Sequence, residues 1–280
     1  MKRNILVIGG NGKTGKRIVN LLKTAGHSVR VGSRQGEPAF DWHNPDGWME
    51  AVAGIESIYI TYQPDLAVPG ALEAIEGLVK VAKKADVKKL VLLSGKGERE
   101  AQLCEQVIIH SGLDHTIVRA NWFNQNFSEN FLLDGILEGH VALPFAEMKI
   151  PFVDANDIAE VAVKALTEGE HNGKIYELTG PEGLTFGEAV QLISEATGKE
   201  IQFTGVSISS YVNTLRQHNL PEDFIWLIEY LFTEVLGNPS NSEITNDIEH
   251  VLHRKPIRFK DYIDLTVKSG VWNTEVSHTH

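Results

Sequence analysis

The chain has 280 residues, of which 42% are hydrophobic and 22% are charged, a composition typical of a soluble globular protein. Its 26 basic and 37 acidic residues give a net charge of −11, which argues against a nucleic-acid surface because phosphate binding needs a basic field. The single cysteine, Cys104, excludes an internal disulfide and fits a reducing, cytoplasmic compartment. No apolar run approaches the length of about 18 residues that a membrane span needs, so we expect no such span.

Strands and helices alternate through the first 120 residues. Short apolar runs predict strands, and apolar residues at helical spacing predict the helices between them. The predicted strands are 4–8, 28–32, 57–61, 90–94 and 115–119, and the predicted helices are 14–25, 46–53, 70–84 and 98–111. This alternation predicts an α/β fold, a Rossmann-like doubly wound parallel sheet with helices on both faces.

Beyond Arg119 the alternation is looser. We predict helices at 157–167 and 185–196, strands at 174–178 and 200–205, and a helical segment from Pro221 to Gly237. The strand at 174–178 is expected to return to the core sheet. Residues 1–150 should therefore form the NAD(P)-binding core, and residues 151–280 mainly a smaller C-terminal substrate lobe packed on the same sheet. The tail at 275–280 carries two histidines without further ligands, so we predict no metal site there.

The first predicted strand runs directly into Gly9-Gly10-Asn11-Gly12-Lys13-Thr14-Gly15. These glycines fit both G-x-G-x-x-G, starting at Gly10, and G-x-x-G-x-x-G, starting at Gly9. Without Cβ atoms they allow a tight turn and the close approach of a phosphate. The helix that follows offers N–H groups and a positive dipole end. A strand before the loop and a helix after it together predict a dinucleotide site.

The second predicted strand ends with Gly32-Ser33-Arg34 and lacks the acidic residue that usually binds the ribose hydroxyls of NAD. Ser33 can donate a hydrogen bond, and Arg34 can hold a 2′-phosphate with its fork of donors. Lys13 adds a second positive charge. We therefore expect NADP(H) to be preferred over NAD(H). Asp41 either accepts from the adenine amine or is a turn aspartate beside a core aromatic residue.

Ligands of open α/β sheets bind at the carboxyl ends of the strands, and polar residues follow two further strands of this chain. Thr61 and Gln63 are expected beside the cofactor, as are Ser94 and Gly95 after the next strand. Ser94 is also a candidate catalytic residue, unless it only closes the strand. Tyr62 is the one candidate proton donor near the site.

The residues at these positions resemble the NmrA-like branch of the atypical short-chain dehydrogenases/reductases, in particular the festuclavine/agroclavine dehydrogenase-like and triphenylmethane/quinone reductase group. The resemblance rests on the glycine loop, on Ser33-Arg34, and on the segments GLDHTIVRANWFNQNF at 112–127 and VDANDIA at 153–159. It implies that a cofactor lies along Asn121, Trp122 and Phe123. The aromatic residues expected to contact substrate are Trp122, Phe123, Phe127 and Tyr211, with ordinary core packing left open as the alternative for Phe127.

The chain departs from typical short-chain dehydrogenases because the helix at 98–111 carries no Tyr-x-x-x-Lys pair. That pair supplies a proton to the alkoxide formed by hydride addition. We therefore expect an NADPH-dependent reductase of a small-molecule acceptor that needs less help: an imine or iminium, a quinone, a cationic dye or an activated alkene. The alternative is a non-catalytic NADP(H)-sensing regulator that acts through a protein partner. A monomer or a homodimer fits either hypothesis.

Overall fold

The computed structural model describes residues 2–273, and the tail at 275–280 lies outside the described residues. The chain forms two compact units. The first comprises Met1–Ala120, Ala155–Leu178 and Thr245–Lys255, and the second comprises Asn121–Asp154, Thr179–Ile244 and Pro256–His280. The units are thus built from interleaved segments, where the sequence suggested the continuous halves 1–150 and 151–280.

The first unit contains a six-stranded parallel sheet. Its strands are β1 (Asn4–Ile8), β2 (Ser28–Gly32), β3 (Ser57–Ile60), β4 (Lys89–Gly95), β5 (Asp114–Ala120) and β7 (Lys174–Leu178). They are arranged in the order β2-β1-β3-β4-β5-β7, so the strand at 174–178 joins this sheet as predicted. Strand β1 has β2 on one side and β3 on the other, so the direction in which strands are added reverses at β1. The topological switch point, where open α/β sheets bind ligands, therefore lies at the carboxyl end of β1.

Helices of the first unit bury one apolar face each. They are α1 (Lys13–Thr24), α2 (Trp48–Val52), α3 (Ala71–Lys84), α4 (Arg99–Ile109), α6 (Ala155–Thr167) and α10 (Asp247–Leu252). In α1 the buried face carries Ile18, Val19 and Leu22, a spacing typical of an amphipathic helix. Cys104 is buried in the core of this unit, as expected of a small apolar residue.

The second unit is mainly helical. Its elements are α5 (Leu132–Glu138), β6 (His140–Leu143), α7 (Phe186–Thr197), β8 (Gln202–Gly205), α8 (Ile208–Gln217), α9 (Glu222–Tyr230) and α11 (Phe259–Ser269). Strands β6 and β8 form a separate two-stranded parallel sheet. A capping box is present at the start of α7, where Thr185 Oγ1 accepts from the N–H of Glu188 at 3.0 Å. Among residues 2–273 no helix has the length and apolar character that a membrane span requires.

Candidate functional site

The turn after β1 is built on Gly9, whose φ of +70° lies in the left-handed region that favours glycine. The N–H of Gly9 donates to the carbonyl of Gly32 at 2.9 Å, and its own carbonyl accepts from the N–H of Gly12 at 2.8 Å. A Cβ on Gly9 would lie 2.2 Å from Thr61 Oγ1. The chain after β3 therefore closes on the turn and leaves no room for a side chain.

The other glycines of the loop have different roles. A Cβ on Gly15 would lie 2.1 Å from the carbonyl oxygen of Gly9, and one on Gly10 would lie 2.8 Å from Val31 Cγ1, so both allow close packing. A Cβ on Gly12 would meet only the carbonyl oxygen of Gly9, at 3.2 Å, and a side-chain amide at 4.0 Å. Gly12 caps the N-terminus of α1 without a side-chain hydrogen bond. A phosphate fits at this position because first-turn N–H groups lack intrahelical partners.

A cavity of about 490 Å³ lies beside this turn in the first unit. Its lining includes residues that the sequence predicted to bind cofactor: Gly9, Gly12, Ser33, Arg34, Asp41, Thr61 and Gln63. It also includes residues that the sequence did not assign, among them Asn11, Gln35, Phe40, Trp42 and His43. A second cavity, of about 550 Å³, runs along β2 but is not lined by the loop glycines, so we do not assign the dinucleotide to it.

Ser33 and Arg34 begin the loop after β2 at the rim of the 490 Å³ cavity. The carbonyl of Ser33 accepts from the N–H groups of Gly36 and Phe40, at 3.0 and 2.9 Å, and so fixes the loop. The side chain of Arg34 is exposed, and within residues 2–273 its guanidinium has no hydrogen bond or ion pair. A guanidinium in this position can bind a phosphate without first giving up a protein partner.

Trp42 forms an aromatic wall of the cavity. Its indole Nε1–H donates to the carbonyl of Thr61 at 3.1 Å, and its ring packs against Phe40 and Tyr62 with centroids 5.0 and 4.9 Å away. Asp41 Oδ1 accepts from the backbone N–H of His43 at 3.0 Å, as a turn aspartate does. The structure thus supports the turn interpretation of Asp41, and a contact with adenine stays a prediction. The role of Trp42 depends on the bond to Thr61, which the sequence pattern cannot indicate.

Two residues of the glycine loop make contacts inside the protein. The hydroxyl of Thr14 is buried and accepts from Tyr59 Oη at 2.9 Å, so it is already hydrogen-bonded inside the protein. Only the backbone of Thr14 remains a candidate for binding the cofactor. The carbonyl of Lys13 accepts from Arg17 Nη1 at 2.7 Å. Binding of a 2′-phosphate by the Lys13 ammonium stays a prediction.

Ser94, at the end of β4, belongs to a buried ionic network. Its Oγ donates to Glu105 Oε1 at 2.7 Å, and Arg119 binds the same carboxylate from Nε at 2.9 Å and from Nη2 at 2.6 Å. Arg119 Nη1 also contacts Glu177 Oε1 at 3.1 Å. The hydrogen bonds to Glu105, together with the Glu105 charge, raise the pKa of Arg119 against the effect of burial, which lowers it, so the guanidinium stays charged. The hydroxyl of Ser94 therefore already has an acceptor, and its predicted catalytic role is untested.

Tyr62 is half-buried between the 490 Å³ cavity wall at Trp42 and the core of the first unit. Burial, followed by the nearby Cys104 and Glu73, raises the pKa of its phenol. A raised pKa makes Tyr62 a weaker acid, in contrast to the lysine-activated tyrosine of typical short-chain dehydrogenases. Its role as proton donor stays a prediction.

The remaining predicted residues belong to the second unit. Asn121 Nδ2 donates to the carbonyl of Asn241 at 2.8 Å, and its Oδ1 accepts from the N–H of Trp122 at 2.7 Å. Phe123 pairs with Val153 in an isolated β-bridge. These three contacts fix the backbone directly after β5. Contacts of this segment with cofactor or substrate remain predictions.

The aromatic rings predicted to contact substrate pack mainly with each other. Trp122 and Tyr211 are half-buried, and both lie against Phe232, with ring centroids 5.2 and 5.7 Å away. Phe127 is fully buried and packs on the ring of Phe152 at 5.3 Å. Phe127 is therefore a core residue of the second unit, which favours the core-packing alternative over a contact with substrate.

Comparison with known proteins agrees with this geometry. The sequence model of the NmrA-like family matches residues 39–263. Prestalk A differentiation protein A of Dictyostelium discoideum is 26% identical over 93% of this chain and 91% of its own length. Agroclavine dehydrogenase of Claviceps fusiformis is 27% identical over 96% of this chain and 98% of its own.

Two solved structures have the same fold over nearly the whole chain. Triphenylmethane reductase of Citrobacter sp., complexed with NADP(H), superposes with a TM-score of 0.74 at 20% identity and covers 94% of this chain and 99% of its own. The NADPH-dependent quinone oxidoreductase of Escherichia coli, complexed with NADPH, superposes with a TM-score of 0.75 at 17% identity and the same coverage.

Proposed function

The chain belongs to the NmrA-like family, and on this premise we propose that it is an NAD(P)H-dependent oxidoreductase that reduces a small organic acceptor. One observation carries the proposal. The cavity of about 490 Å³ joins a helix N-terminus at Gly12, where no Cβ fills the space, to the guanidinium of Arg34, which has no partner within residues 2–273. A pyrophosphate and a 2′-phosphate are the groups that these two features fit.

NADP(H) is our preferred cofactor over NAD(H). The strand end at Gly32 is followed by Ser33 and Arg34, and no carboxylate is there to accept from both ribose hydroxyls. Arg34 needs no rearrangement to meet a 2′-phosphate, since it has no partner among the described residues. When bound, the reduced nicotinamide supplies the hydride, and the protein supplies position and a dry environment.

The acceptor is an imine or iminium, a quinone, a cationic dye or an activated alkene. Helix α4, which would carry the Tyr-x-x-x-Lys pair of typical short-chain dehydrogenases, contains neither a tyrosine nor a lysine. Its buried face carries Glu105 instead, which is bound to Ser94 and Arg119. The chain therefore lacks the usual means of protonating an alkoxide, which disfavours simple ketones. The names of the relatives support this range, since they are a clavine dehydrogenase, a dye reductase and a quinone reductase.

The test is a calorimetric titration of the purified protein with NADPH and with NADH. One acceptor of each class is then added, and the absorbance of the reduced nicotinamide is followed. We expect tighter binding of NADPH and its oxidation by at least one class. Failure of NADPH to bind, or binding without oxidation by any of the four classes, would exclude the proposed reductase.

A nucleotide-sensing regulator is the second candidate. The hydroxyl of Ser94 is bound to Glu105, so this residue of the usual catalytic set is occupied. One relative carries a differentiation protein's name. Tight NADPH binding without turnover, together with a protein partner whose binding depends on NADP+, would favour this candidate over the reductase.

A further inference from the structure

Three metal-ligating side chains meet at the amino edge of the first unit's sheet, in the single turn of helix between α6 and β7. They belong to Glu168, Glu170 and His171. His171 Nε2 lies 3.3 Å from Glu168 Oε2 and 3.7 Å from Glu170 Oε1. The nitrogen and the two carboxylate oxygens all lie within 4.8 Å of one another, so one ion can contact all three. The sequence pattern did not indicate this group.

The imidazole of His171 is buried and oriented by contacts inside the protein. Its side chain is only 6% exposed, whereas that of Glu170 is 73% exposed. Nδ1 lies 2.9 Å from Tyr176 Oη, and the backbone carbonyl of His171 accepts from Thr116 Oγ1 at 2.8 Å. These contacts direct Nε2 at the two carboxylates. A histidine that binds a metal is usually held by a hydrogen bond to its other ring nitrogen in this way.

The separations fit a metal ion better than a direct hydrogen bond. An N–H···O hydrogen bond is usually about 2.7–3.2 Å long, and both distances from His171 Nε2 exceed this range. Bonds from zinc to nitrogen and oxygen are about 2.0–2.2 Å long, so two ligand atoms at the tetrahedral angle lie about 3.3–3.6 Å apart. The exposed side chain of Glu170 can rotate to make up the small difference.

Two lysines hold Glu168 but leave its carboxylate able to bind an ion. The backbone carbonyl of Glu168 accepts from Lys89 Nζ at 2.7 Å, and its Oε2 lies 3.5 Å from Lys164 Nζ. A carboxylate has about four lone-pair sites, so Glu168 can keep the contact with Lys164 and bind a metal as well.

The donor set determines the class of metal. One imidazole with two carboxylates suits zinc and the neighbouring transition metals, whereas Mg²⁺ and Ca²⁺ prefer oxygen ligands only. Zinc with three protein ligands takes a water molecule in its fourth position.

We propose that Glu168, Glu170 and His171 bind one Zn²⁺ ion, with water as the fourth ligand. The ion joins the end of α6 to the start of β7 at the amino edge of the sheet, whereas the glycine loop follows the carboxyl end of β1. The ion is therefore remote from the dinucleotide, and the inference does not depend on the proposed function. Its effect is on stability, because an ion that binds only the folded chain raises the melting temperature.

The test is a calorimetric titration with zinc chloride after treatment of the protein with a chelator. It is made on the unchanged protein and on His278→Ala/His280→Ala, because the two histidines of the tail also can bind zinc. We expect the double variant to bind one Zn²⁺ per chain and to gain in Tm when zinc is added. With Co²⁺ in place of zinc, it should show the strong visible absorption of a four-coordinate site.

Four further variants locate the ion. His171→Gln should abolish these responses, and Glu170→Gln, which changes an exposed side chain, should weaken Zn²⁺ binding at least tenfold without changing Tm in the absence of metal. Tyr176→Phe removes only the contact to Nδ1 and should weaken binding about 10–100-fold. Glu147→Gln makes the same change at an exposed residue of the second unit, so it is the matched control and should bind Zn²⁺ normally.

The readouts are the same whether or not the chain oxidises NADPH, so the inference and the proposed function fail separately. Loss of all Zn²⁺ binding on replacement of the tail histidines would overturn the inference. Binding to the double variant that Glu170→Gln and Tyr176→Phe leave unchanged would also overturn it, since the ion would then lie elsewhere.

Discussion

Arg34 stands at the cavity rim without a partner among the described residues, and the choice between the two dinucleotides depends on it. Arg34→Ala should weaken NADPH binding by about 1–3 kcal/mol, the range for a lost hydrogen bond to a charged group, and leave NADH nearly unaffected. Calorimetric titration with both nucleotides measures this difference. Arg216→Ala, which removes the same charge from α8, is the matched control. Equal losses for the two nucleotides would show that Arg34 does not bind the 2′-phosphate.

Glu98 makes stability depend on pH in a direction opposite to that of an ion-paired carboxylate. Its folded pKa is raised above the usual value of 4.5, mainly by burial, so the folded state binds more protons than the unfolded chain. The stability contributed by the protonated form is complete below the unfolded pKa and is lost as the pH rises through the folded pKa. Glu98→Gln should therefore reduce the fall in unfolding free energy as the pH rises above the usual carboxyl range, measured by urea denaturation. An unchanged slope would contradict a raised pKa.

The site residues that could be predicted are those whose role follows from their neighbours in the sequence. The glycine loop and Ser33-Arg34 follow directly after strands, and the structure places both at one cavity. Trp42 was missed because its role depends on a contact between different loops. Ser94 was identified as a strand-end serine, but its bond to Glu105 becomes evident only when α4 packs beside β4.

At the scale of elements, substitutions in the glycine loop and α1 should affect fold stability and cofactor binding separately. Gly15→Ala would place a Cβ 2.1 Å from a backbone oxygen and should destabilise the fold by about 1–3 kcal/mol, as overpacking does. Gly12 has an ordinary extended backbone, so Gly12→Ala should change stability little and weaken NADPH binding by occupying the phosphate position.

Urea denaturation without nucleotide and calorimetric titration measure the two effects separately. Gly169→Ala, at a position with open space around it, controls for a general effect of replacing glycine. A Gly12→Ala protein that binds NADPH normally would move the phosphate away from this helix.

Three strands were predicted with the bounds they have, and the other three strands of the large sheet to within one residue at each end. β1, β2 and β7 span Asn4–Ile8, Ser28–Gly32 and Lys174–Leu178, and each is bounded by glycine or turn residues. The strand β6 was missed, although its partner at 202–205 was predicted. Four residues that pair in parallel with a distant segment have no local signal of their own. The short helix α5 was missed for the same reason, since few residues contribute to its pattern.

At the scale of the whole molecule, the sequence indicated the sheet but not the order in which the chain visits the two units. The chain leaves the first unit after β5 at Ala120, returns with α6 at Ala155 and leaves again after β7 at Leu178. The apolar pattern of a helix reports that one face is buried, not which unit buries it. For this reason α6 and α7 have similar patterns, although the first covers the parallel sheet and the second lies in the aromatic core of the other unit.

The net charge of −11 predicts that the salt dependence of turnover differs between acceptors. A negative field attracts a cationic dye over long distances and has little effect on a neutral quinone. Added salt shortens the screening length to about 10 Å at 0.1 M, so kcat/KM for a triarylmethyl cation should fall as potassium chloride is added. The neutral quinone, measured at saturating NADPH, controls for effects of salt on folding and on cofactor binding. An equal fall for both acceptors would show that the acidic surface does not attract the substrate and that salt acts on a step common to the two reactions.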